Sequence, residues 1–537
     1  MADIGSLLRD HVTLTVDSVD RRFFQGWVPK LQSVGLVCRF LIDRGYWIPS
    51  SAAMGKIGDA YVRQVLRYAK THGVPVRHFK KGESKEAIAR PLIDRAAKAG
   101  VDRVVLIGIA QEKASVWRSW PAKGQEKSRH PHMEWGRQMA MVNHYYFYVY
   151  DHEWGPAFIK TNAYAPWPVW LCLNGHEWAK QQLLHAGVAF HDLDNGFAWC
   201  ADPEVLQRTC DRLSAGCVRT FFARWQHHLP SPFTAEERAA GFGYDLAFRQ
   251  FEVSHTQVFD RPAAGRSWFE SVIRDHLDVG RPDQVAIIFG RRISKQTPGT
   301  FRSKVLRHGV DAELISYYRA SKIKQYFKEQ KALRTETVIN DTRDFAVGRR
   351  VTADNFDALV AVGRGANQRL CDAQLAAALP APDVATFTQV TQPTSTADGL
   401  HAPAMRFGDP RVMALLAAII GFAHVLVGFT NADLVTKIGE LTQNDYTSRQ
   451  ATYDLRRLKR NGLIVRIPGT FRYRTTALGR TVSVLFLKAY GRVLTPGLAL
   501  CDLALPDEVA TRHPLPTTWR RFNRALDDFV DHQLAAA

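Results

Sequence analysis

Carboxylates at the ends of three predicted elements are the residues best suited to chemistry. They are Asp151, Glu177, Asp192 and Asp194, and His176 lies beside Glu177. Carboxylate oxygens are the hard ligands that Mg²⁺ prefers, and a few of them suffice because the ion keeps several waters. We therefore expect Asp151, Glu177 and Asp194 to bind Mg²⁺ or Mn²⁺, with Asp192 as an alternative to Asp194. A histidine beside such a site can transfer a proton near neutral pH, and we assign that role to His176.

The elements that carry these carboxylates follow a β-β-β-α-β order. Strands are predicted at 145–150, 157–164 and 169–173, a helix at 175–186 and a fourth strand at 188–191. This order resembles the core of ribonuclease H-like nucleases and transposases. The resemblance implies two divalent metal ions that promote phosphodiester cleavage or strand transfer. It also implies that the fourth strand pairs beside the first, which would bring the carboxylates together.

Other interpretations of the acidic residues remain open. Acids are common at strand ends because strand ends reach solvent, and Glu177 also suits a helix N-terminus, where negative charge is favourable. Glu336 either pairs with a neighbouring basic residue or is a further metal ligand. Acids near predicted strand ends of the first domain form another possible metal pocket, for which we favour an ordinary structural role. These residues are Asp17, Asp20, Asp43 and Glu112.

A basic segment follows the acidic positions along the chain. The chain has 71 Lys and Arg against 52 Asp and Glu, a net charge of +19 that indicates a polyanionic partner, most often nucleic acid. Between residues 291 and 350, 15 residues are basic and 6 are acidic. Alternation from 300 to 340 predicts a β-meander with basic groups on one face and aromatic rings that can stack on bases. The predicted contacts are Arg291, Arg292, Lys295, Arg302, Lys304, Lys322, Lys324, Lys328 and Arg334.

The C-terminal segment carries a second basic pattern. Three predicted helices, the third of them basic, precede a short hairpin in YDLRRLKRNGLIVRIPGTFRYRTTALGR. Residues 409–492 thereby resemble a winged helix-turn-helix domain, whose third helix would enter the major groove of DNA. The predicted helix contacts are Arg449, Gln450, Arg456, Arg457, Lys459 and Arg460, and the predicted hairpin contacts are Arg472 and Arg474. The alternative is a protein-interaction module of the same fold.

The whole chain is predicted to be an α/β protein of several domains. Alternating strands and helices near the N-terminus, including a strand at 34–42, predict a parallel layer. The predicted divisions are an N-terminal α/β domain at 1–125, a ribonuclease H-like core with a helical insertion at 126–290, a basic β-rich segment at 291–377, a linker at 378–408, and a winged-helix domain with a C-terminal helix at 409–537.

Composition narrows the cellular setting. No run approaches the roughly 18 to 20 apolar residues of a membrane span, and the N-terminus lacks the apolar region of a secretory signal. Seven scattered cysteines without a CxxC pair indicate reduced thiols, so we expect a cytoplasmic protein without a membrane partner. Segments such as GIAQEKA, GPAFIK, NGHEWAK, GRPDQV and ALRTET are similar to a bacterial protein family. That resemblance implies a bacterial origin and no particular activity.

These patterns together predict a protein that processes nucleic acid. The first hypothesis is a metal-dependent DNA nuclease, or a transposase or recombinase. The second is a non-enzymatic DNA-binding regulator or replication-initiation protein, and the third is a protein that binds structured RNA on its 291–350 surface. An enzyme would show turnover that depends on a divalent metal, whereas a regulator would show only salt-dependent binding.

Overall fold

The computed structural model describes most of the chain as two compact units. It describes residues 11–124, 132–275, 285, 288–291, 296–308, 311–378, 384–395, 399–422, 428–442, 445–490, 521, 524–525 and 528. Among these residues, one unit ends at Gln368 and the other begins at Arg369. Within the described residues, no helix is both long and apolar enough to cross a bilayer.

The first unit combines long strands with helices that cover them. Its helices are Val34–Asp43 (α1), Ser51–Thr71 (α2), Lys85–Ala99 (α3), Gly175–His185 (α4), Pro203–Asp211 (α5), Ala215–His228 (α6), Ala235–Ala239 (α7), Pro262–Asp275 (α8) and the start of Ala353–Ala378 (α9). Its strands are Val12–Trp27 (β1), Val76–His78 (β2), Arg103–Pro121 (β3), Met133–Asp151 (β4), Gly155–Asn162 (β5), Val169–Asn174 (β6), Phe190–Asp192 (β7), Phe197–Cys200 (β8), Asp245–Phe259 (β9), Phe301–His308 (β10), Asp311–Tyr318 (β11), Ser321–Lys328 (β12) and Ala332–Ile339 (β13).

A single sheet of eleven strands organises this unit. Its strand order is β10-β11-β12-β13-β9-β1-β6-β5-β4-β3-β2. Only β2 and β3 run parallel, and the other neighbouring pairs in the sheet are antiparallel. The α/β class is therefore confirmed. The predicted parallel pairing is confirmed for β2 and β3, which are joined through α3, and it is wrong for the other strands of the sheet.

The same sheet replaces the predicted domain boundaries. Its strands come from all of the segments 1–125, 126–290 and 291–377, so the three segments do not form separate domains among the described residues. The physical reason is the position of β1, which lies between β6 and β9. The first strand of the chain therefore finds its two hydrogen-bonding partners in later segments.

The predicted β-β-β-α-β unit forms only in part. Strands β4, β5 and β6 make an antiparallel meander that leads into α4, as predicted. The fourth strand, β7, pairs with β8 in a separate two-stranded sheet, whereas β4 has β3 and β5 as its neighbours. The expected pairing of the fourth strand beside the first is thus wrong.

Residues 34–42 form a helix in place of the predicted strand. Within α1 the buried residues are Val37, Phe40 and Leu41, at spacings of three and four residues. This spacing places all three on one face of a helix, where they pack with Trp167 and Phe233. The short apolar run is compatible with both a strand and a helix, and packing against the rest of the unit stabilises the helix.

The second unit contains the C-terminal helices. They are Val384–Thr391 (α10), Pro410–Phe422 (α11), Asn431–Thr442 (α12), Ser448–Arg460 (α13) and Ala477–Ala489 (α14). Two short hairpins accompany them, Thr394–Ser395 (β14) with His401–Ala402 (β15), and Ile464–Arg466 (β16) with Tyr473–Thr475 (β17). An isolated bridge joins Phe429 to Tyr473, and Phe429 is buried in the core of the unit.

The predicted linker at 378–408 belongs to this second unit. Within its described part, Val390 and Met405 are fully buried in the same core as Leu415 and Leu455. The backbone N–H of Met405 donates to the carbonyl of Val390, which links the end of α10 to the segment that follows β15. A few buried apolar side chains therefore anchor this segment in the core, although its Pro and Thr content is typical of a linker.

Candidate functional site

Three buried carboxylates meet on neighbouring strands of the large sheet. Asp20 lies on β1, Glu252 on β9 and Glu336 on β13, and a ligand oxygen from each lies within 4.8 Å of the others. Their relative exposures are 2%, 7% and 1%, respectively. We call Asp20, Glu252 and Glu336 the acidic triad.

Strand register and a β-bulge together assemble the acidic triad. Glu252 pairs with Val338 and Ser254 with Glu336, so the two glutamates are diagonal neighbours on one face of the sheet. On the other side of β9, the register shifts between Val19 and Arg22, so that Asp20 and Arg21 oppose Glu252 alone. Such a bulge redirects side chains, and bulges are frequent beside active sites. The bulge therefore directs Asp20 towards the two glutamates.

Two basic side chains neutralise two of the three carboxylates. A guanidinium nitrogen of Arg334 lies 3.0 Å from Asp20 Oδ2, and Lys324 Nζ lies 3.3 Å from Glu336 Oε2. Burial by itself would raise the pKa of Asp20, but the charge of Arg334 holds it below the usual value. Asp20 is therefore ionised, and its charge is balanced inside the protein.

Glu252 is the carboxyl whose charge is not balanced in this way. Burial, reinforced by the adjacent carboxylate of Glu336, raises its pKa to about 9. The Nε2 group of Gln250 donates to Glu252 Oε1 over 2.5 Å. At neutral pH Glu252 is consequently protonated. A cation bound between Glu252 and Glu336 could replace this proton and neutralise both carboxylates.

His176 borders the acidic triad but does not suit the proton-transfer role predicted from the sequence. It is fully buried, its Nε2 lies 3.1 Å from Ser254 Oγ, and the same nitrogen contacts the guanidinium of Arg334. Burial and the charge of Arg334 push its pKa well below the usual value. His176 therefore remains neutral and acts as a hydrogen-bond partner of Arg334.

Asp151 does not meet its predicted partners at a metal site. It is completely buried, and Arg224 donates to both of its oxygens, over 2.8 Å and 2.6 Å. Trp225 Nε1 donates over 2.7 Å, and the backbone N–H groups of Glu153 and Trp154 donate over 3.0 Å each. These donors occupy the carboxylate, so the predicted metal role of Asp151 is corrected to a structural one.

The other three predicted acids gather around one lysine. Lys180 Nζ lies 2.8 Å from Glu177 Oε1, 3.0 Å from Asp192 Oδ1 and 2.5 Å from the carbonyl oxygen of Asp194. The side chain of Asp194 turns to Lys328, 3.1 Å away. Among the described residues, the carboxylates of Asp151, Glu177 and Asp194 do not all come within 4.8 Å of one another, so they do not form the predicted metal site.

The predicted β-meander with basic residues forms as β10 to β13, and it lies beside the acidic triad. Its register pairs Lys322 with Val338, Lys324 with Glu336 and Tyr326 with Arg334, so these side chains share the face that carries Glu336. Arg302 lies 5.4 Å above the ring of Tyr317, whereas Arg291 donates to the carbonyl of Phe345. The backbone of Lys304 pairs with Ile315. Arg292 and Lys295 lie outside the described residues.

The predicted contacts of the second unit divide into exposed and engaged residues. Arg449, Arg456, Lys459 and Arg474 are exposed. The others make internal hydrogen bonds. Arg457 donates to the carbonyl of Ala404, Arg460 to that of His401 and Arg472 to that of Gly428, and Gln450 Oε1 accepts from the backbone N–H of Thr447. Gln450 thus completes a capping box at the start of α13. The exposed subset is the part of this prediction that can reach a ligand.

Sequence reasoning assigned no chemistry to Glu252 and favoured a structural role for Asp20. Glu252 lies between Phe251 and Val253, and an acid flanked by apolar residues within a predicted strand is the signal that could have found it. Asp20 stands within VDSVDRR, where nothing in the alternation marks a bulge.

Comparisons with known proteins add no family. No protein-family model matches the chain, and no curated protein and no solved structure matches it significantly.

Proposed function

We propose that the chain binds nucleic acid and acts on its phosphodiester backbone with a divalent metal, Mg²⁺ or Mn²⁺, held by the acidic triad. The observation that carries the proposal is the convergence of Asp20, Glu252 and Glu336 on the face that also bears Lys322 and Lys324. Oxygen ligands and two negative charges at one point suit Mg²⁺. The proposal keeps the expected chemistry of a ribonuclease H-like enzyme and moves it to other carboxylates, since the strand order differs from that core.

The raised pKa of Glu252 supports a metal at the acidic triad. A carboxyl with a pKa of about 9 in the metal-free protein must lose a proton before it can ligate. A cation between Glu252 and Glu336 would replace that proton and remove the repulsion between the two carboxylates. When bound, Mg²⁺ would polarise a phosphoryl oxygen and lower the pKa of a water. Arg334 would keep Asp20 ionised and oriented, because it contacts Asp20 directly.

The basic face supports a nucleic-acid substrate. Lysines at alternate positions of β12 approach the triad from one side, and Lys324 itself contacts Glu336. Arg302 over Tyr317 adds a cation and an aromatic ring farther along the sheet. Basic groups that follow a backbone, interleaved with rings that stack on bases, are typical of proteins that hold single strands.

For the second unit we propose the winged-helix role expected from the sequence. Three helices, a hairpin and a bridge at Phe429 follow the order of that fold, and α13 exposes Arg449, Arg456 and Lys459. Exposed cations on one helix suit contacts with phosphates and with base edges in the major groove of duplex DNA. The unit would then locate DNA for the acidic triad.

A cleavage assay tests the proposal. Labelled single-stranded DNA, duplex DNA and RNA are incubated with the full chain and Mg²⁺, Mn²⁺ or a chelator. We expect cleavage of at least one substrate with metal, and a loss of more than about a hundredfold in Glu336→Gln, because ligand loss exceeds the effect of perturbing a neighbouring shell. Glu329→Gln, an exposed acid at the turn between β12 and β13, is the matched control. Equal cleavage by parent and Glu336→Gln would reject the assignment.

A non-enzymatic role is favoured by one specific feature of the acidic triad. Arg334 and Lys324 already neutralise Asp20 and Glu336. A single proton on Glu252 therefore leaves the acidic triad without unbalanced charge, and no metal is needed. In that case the chain would be a DNA- or RNA-binding regulator. It would bind with a steep salt dependence and show no metal-dependent turnover in the same assay.

A further inference from the structure

Lys180 is a buried cation surrounded by acceptors from its own chain. Its relative exposure is 7%, and its Nζ contacts the side chains of Glu177 and Asp192 and the carbonyl of Asp194. The side chains of Asp192 and Asp194 are 66% and 64% exposed, respectively. The acids therefore lie on the solvent side of the lysine.

Lys328, the last residue of β12, contacts the same group of acids. Its side chain is 13% exposed and contacts Asp194, which also accepts Lys180 through its backbone. Partial burial would raise the pKa of Asp194, but the hydrogen bond and charge of Lys328 hold it below the usual value. Asp194 is consequently ionised, and two lysines converge on one turn that carries negative charge.

The turn that carries these acids also covers the acidic triad. Asn195 Nδ2 donates to Asp20 Oδ1 over 2.5 Å, and Arg334 donates to the carbonyl of Asn195 over 2.5 Å. Asp194 has a φ of 41°, a left-handed conformation that costs energy for a residue with a side chain. The turn at 192–196 is therefore fixed at both sides, by lysines through Asp192 and Asp194 and by the triad through Asn195.

We infer that Lys180 and Lys328 form a binding site for a backbone phosphate of nucleic acid, and that the turn at 192–196 occupies it as an internal competitor. This inference rests on the proposed function. A phosphate offers the same lysines a negative charge and oxygen acceptors, as the carboxylates of Asp192 and Asp194 do. The side chains of Asp192 and Asp194 are themselves exposed to solvent, so the phosphates of a strand already held by Lys322 and Lys324 can compete with them for the two lysines. Release of the turn would then free Asp20 from Asn195 and open the acidic triad.

A charge-matched comparison tests the competitor. Asp192→Asn/Asp194→Asn removes two negative charges from the turn, and Asp43→Asn/Glu204→Gln removes two exposed charges elsewhere that also pair with arginines. Affinity for a labelled single-stranded oligonucleotide is measured by fluorescence anisotropy as a function of salt. We expect the turn variant to bind about tenfold more tightly than the control, because every phosphate that a lysine neutralises adds to the salt-dependent affinity. Hydrogen exchange at 190–200 should rise in the parent when the oligonucleotide binds.

The outcomes separate this inference from the proposed function. Two results together would reject the role of the turn as a competitor and leave nucleic-acid binding intact. They are equal affinity of the two double variants, and hydrogen exchange at 190–200 that does not change when the parent binds the oligonucleotide. Failure of the parent and both variants to bind DNA or RNA would overturn both proposals. Lys328→Ala should weaken binding in the turn variant, since the lysine then contacts phosphate alone, and unchanged affinity would remove Lys328 from the site.

Discussion

Two acidic clusters of the large unit have similar geometry and different surroundings. Asp102, Asp151 and His152 form one group, the acidic triad forms the other, and in each the ligand atoms lie within 4.8 Å. Asp151 accepts hydrogen bonds from Arg224, Trp225 and two backbone groups, whereas Glu252 has Gln250 and the repelling carboxylate of Glu336. The two clusters therefore differ in the hydrogen-bond donors around their carboxylates and not in how close their acids lie, and this difference is the reason for proposing the metal at the acidic triad.

The largest expected effect is the loss of stability when Asp151 is replaced. Asp151→Asn should lower the free energy of unfolding by about 3 kcal/mol, because Arg224 loses its buried partner and keeps only the longer pair with Glu153, and because an amide then faces Trp225. Urea denaturation followed by tryptophan fluorescence measures the change. Asp43→Asn, in an exposed pair with Arg39, is the control and should shift stability by about 0.5 kcal/mol or less. A stable Asp151→Asn protein that has lost metal binding would reverse the roles of the two clusters.

A smaller effect concerns the pH dependence of stability. The pKa of Glu252 is raised from 4.5 to about 9, so the folded chain holds a proton that the unfolded chain releases in this range. Stability from this proton is complete below pH 4.5 and is lost as pH rises to about 9. The free energy of unfolding of the metal-free protein should therefore fall by up to about 1.4 kcal/mol per pH unit from this group.

Glu252→Gln isolates that contribution. The variant should have a shallower pH dependence than the parent and a higher melting temperature at pH 8, both measured in chelator. Asp102→Asn, in the other cluster, should keep the slope of the parent. Parallel slopes for the parent and Glu252→Gln would show that Glu252 is ionised in the folded protein, and the contrast between the clusters would then disappear.

The sequence predicts the parts of this fold in which local pattern and tertiary structure agree. The alternation in SKIKQYFK and ALRTETVI predicts both the β-meander and the shared face of Lys322 and Lys324, which the register confirms. The helix predicted at 175–186 is confirmed by α4. In both segments the hydrophobic period extends over enough residues to fix one structure.

The acidic triad could not be predicted from local pattern, because it depends on pairing between distant segments. Asp20 meets Glu252 only through the antiparallel pairing of β1 with β9, and the bulge that aims it has no marker in the sequence. The prediction for Asp151 was wrong for a related reason, since Arg224 and Trp225 reach it from a helix more than seventy residues later. The sequence shows which strand ends carry carboxylates, but the hydrogen-bond donors that surround them come from distant parts of the chain.

Calorimetric titration of metal into the chelator-treated protein tests the central claim most directly. Mg²⁺ and Mn²⁺ are titrated into the parent, Glu336→Gln and Asp102→Asn at pH 8, in two buffers of different ionisation enthalpy. We predict binding to the parent and to Asp102→Asn with release of about one proton, from Glu252, and loss of binding in Glu336→Gln. Equal binding by the parent and Glu336→Gln, or loss of binding in Asp102→Asn instead, would contradict the assignment of the metal to the acidic triad.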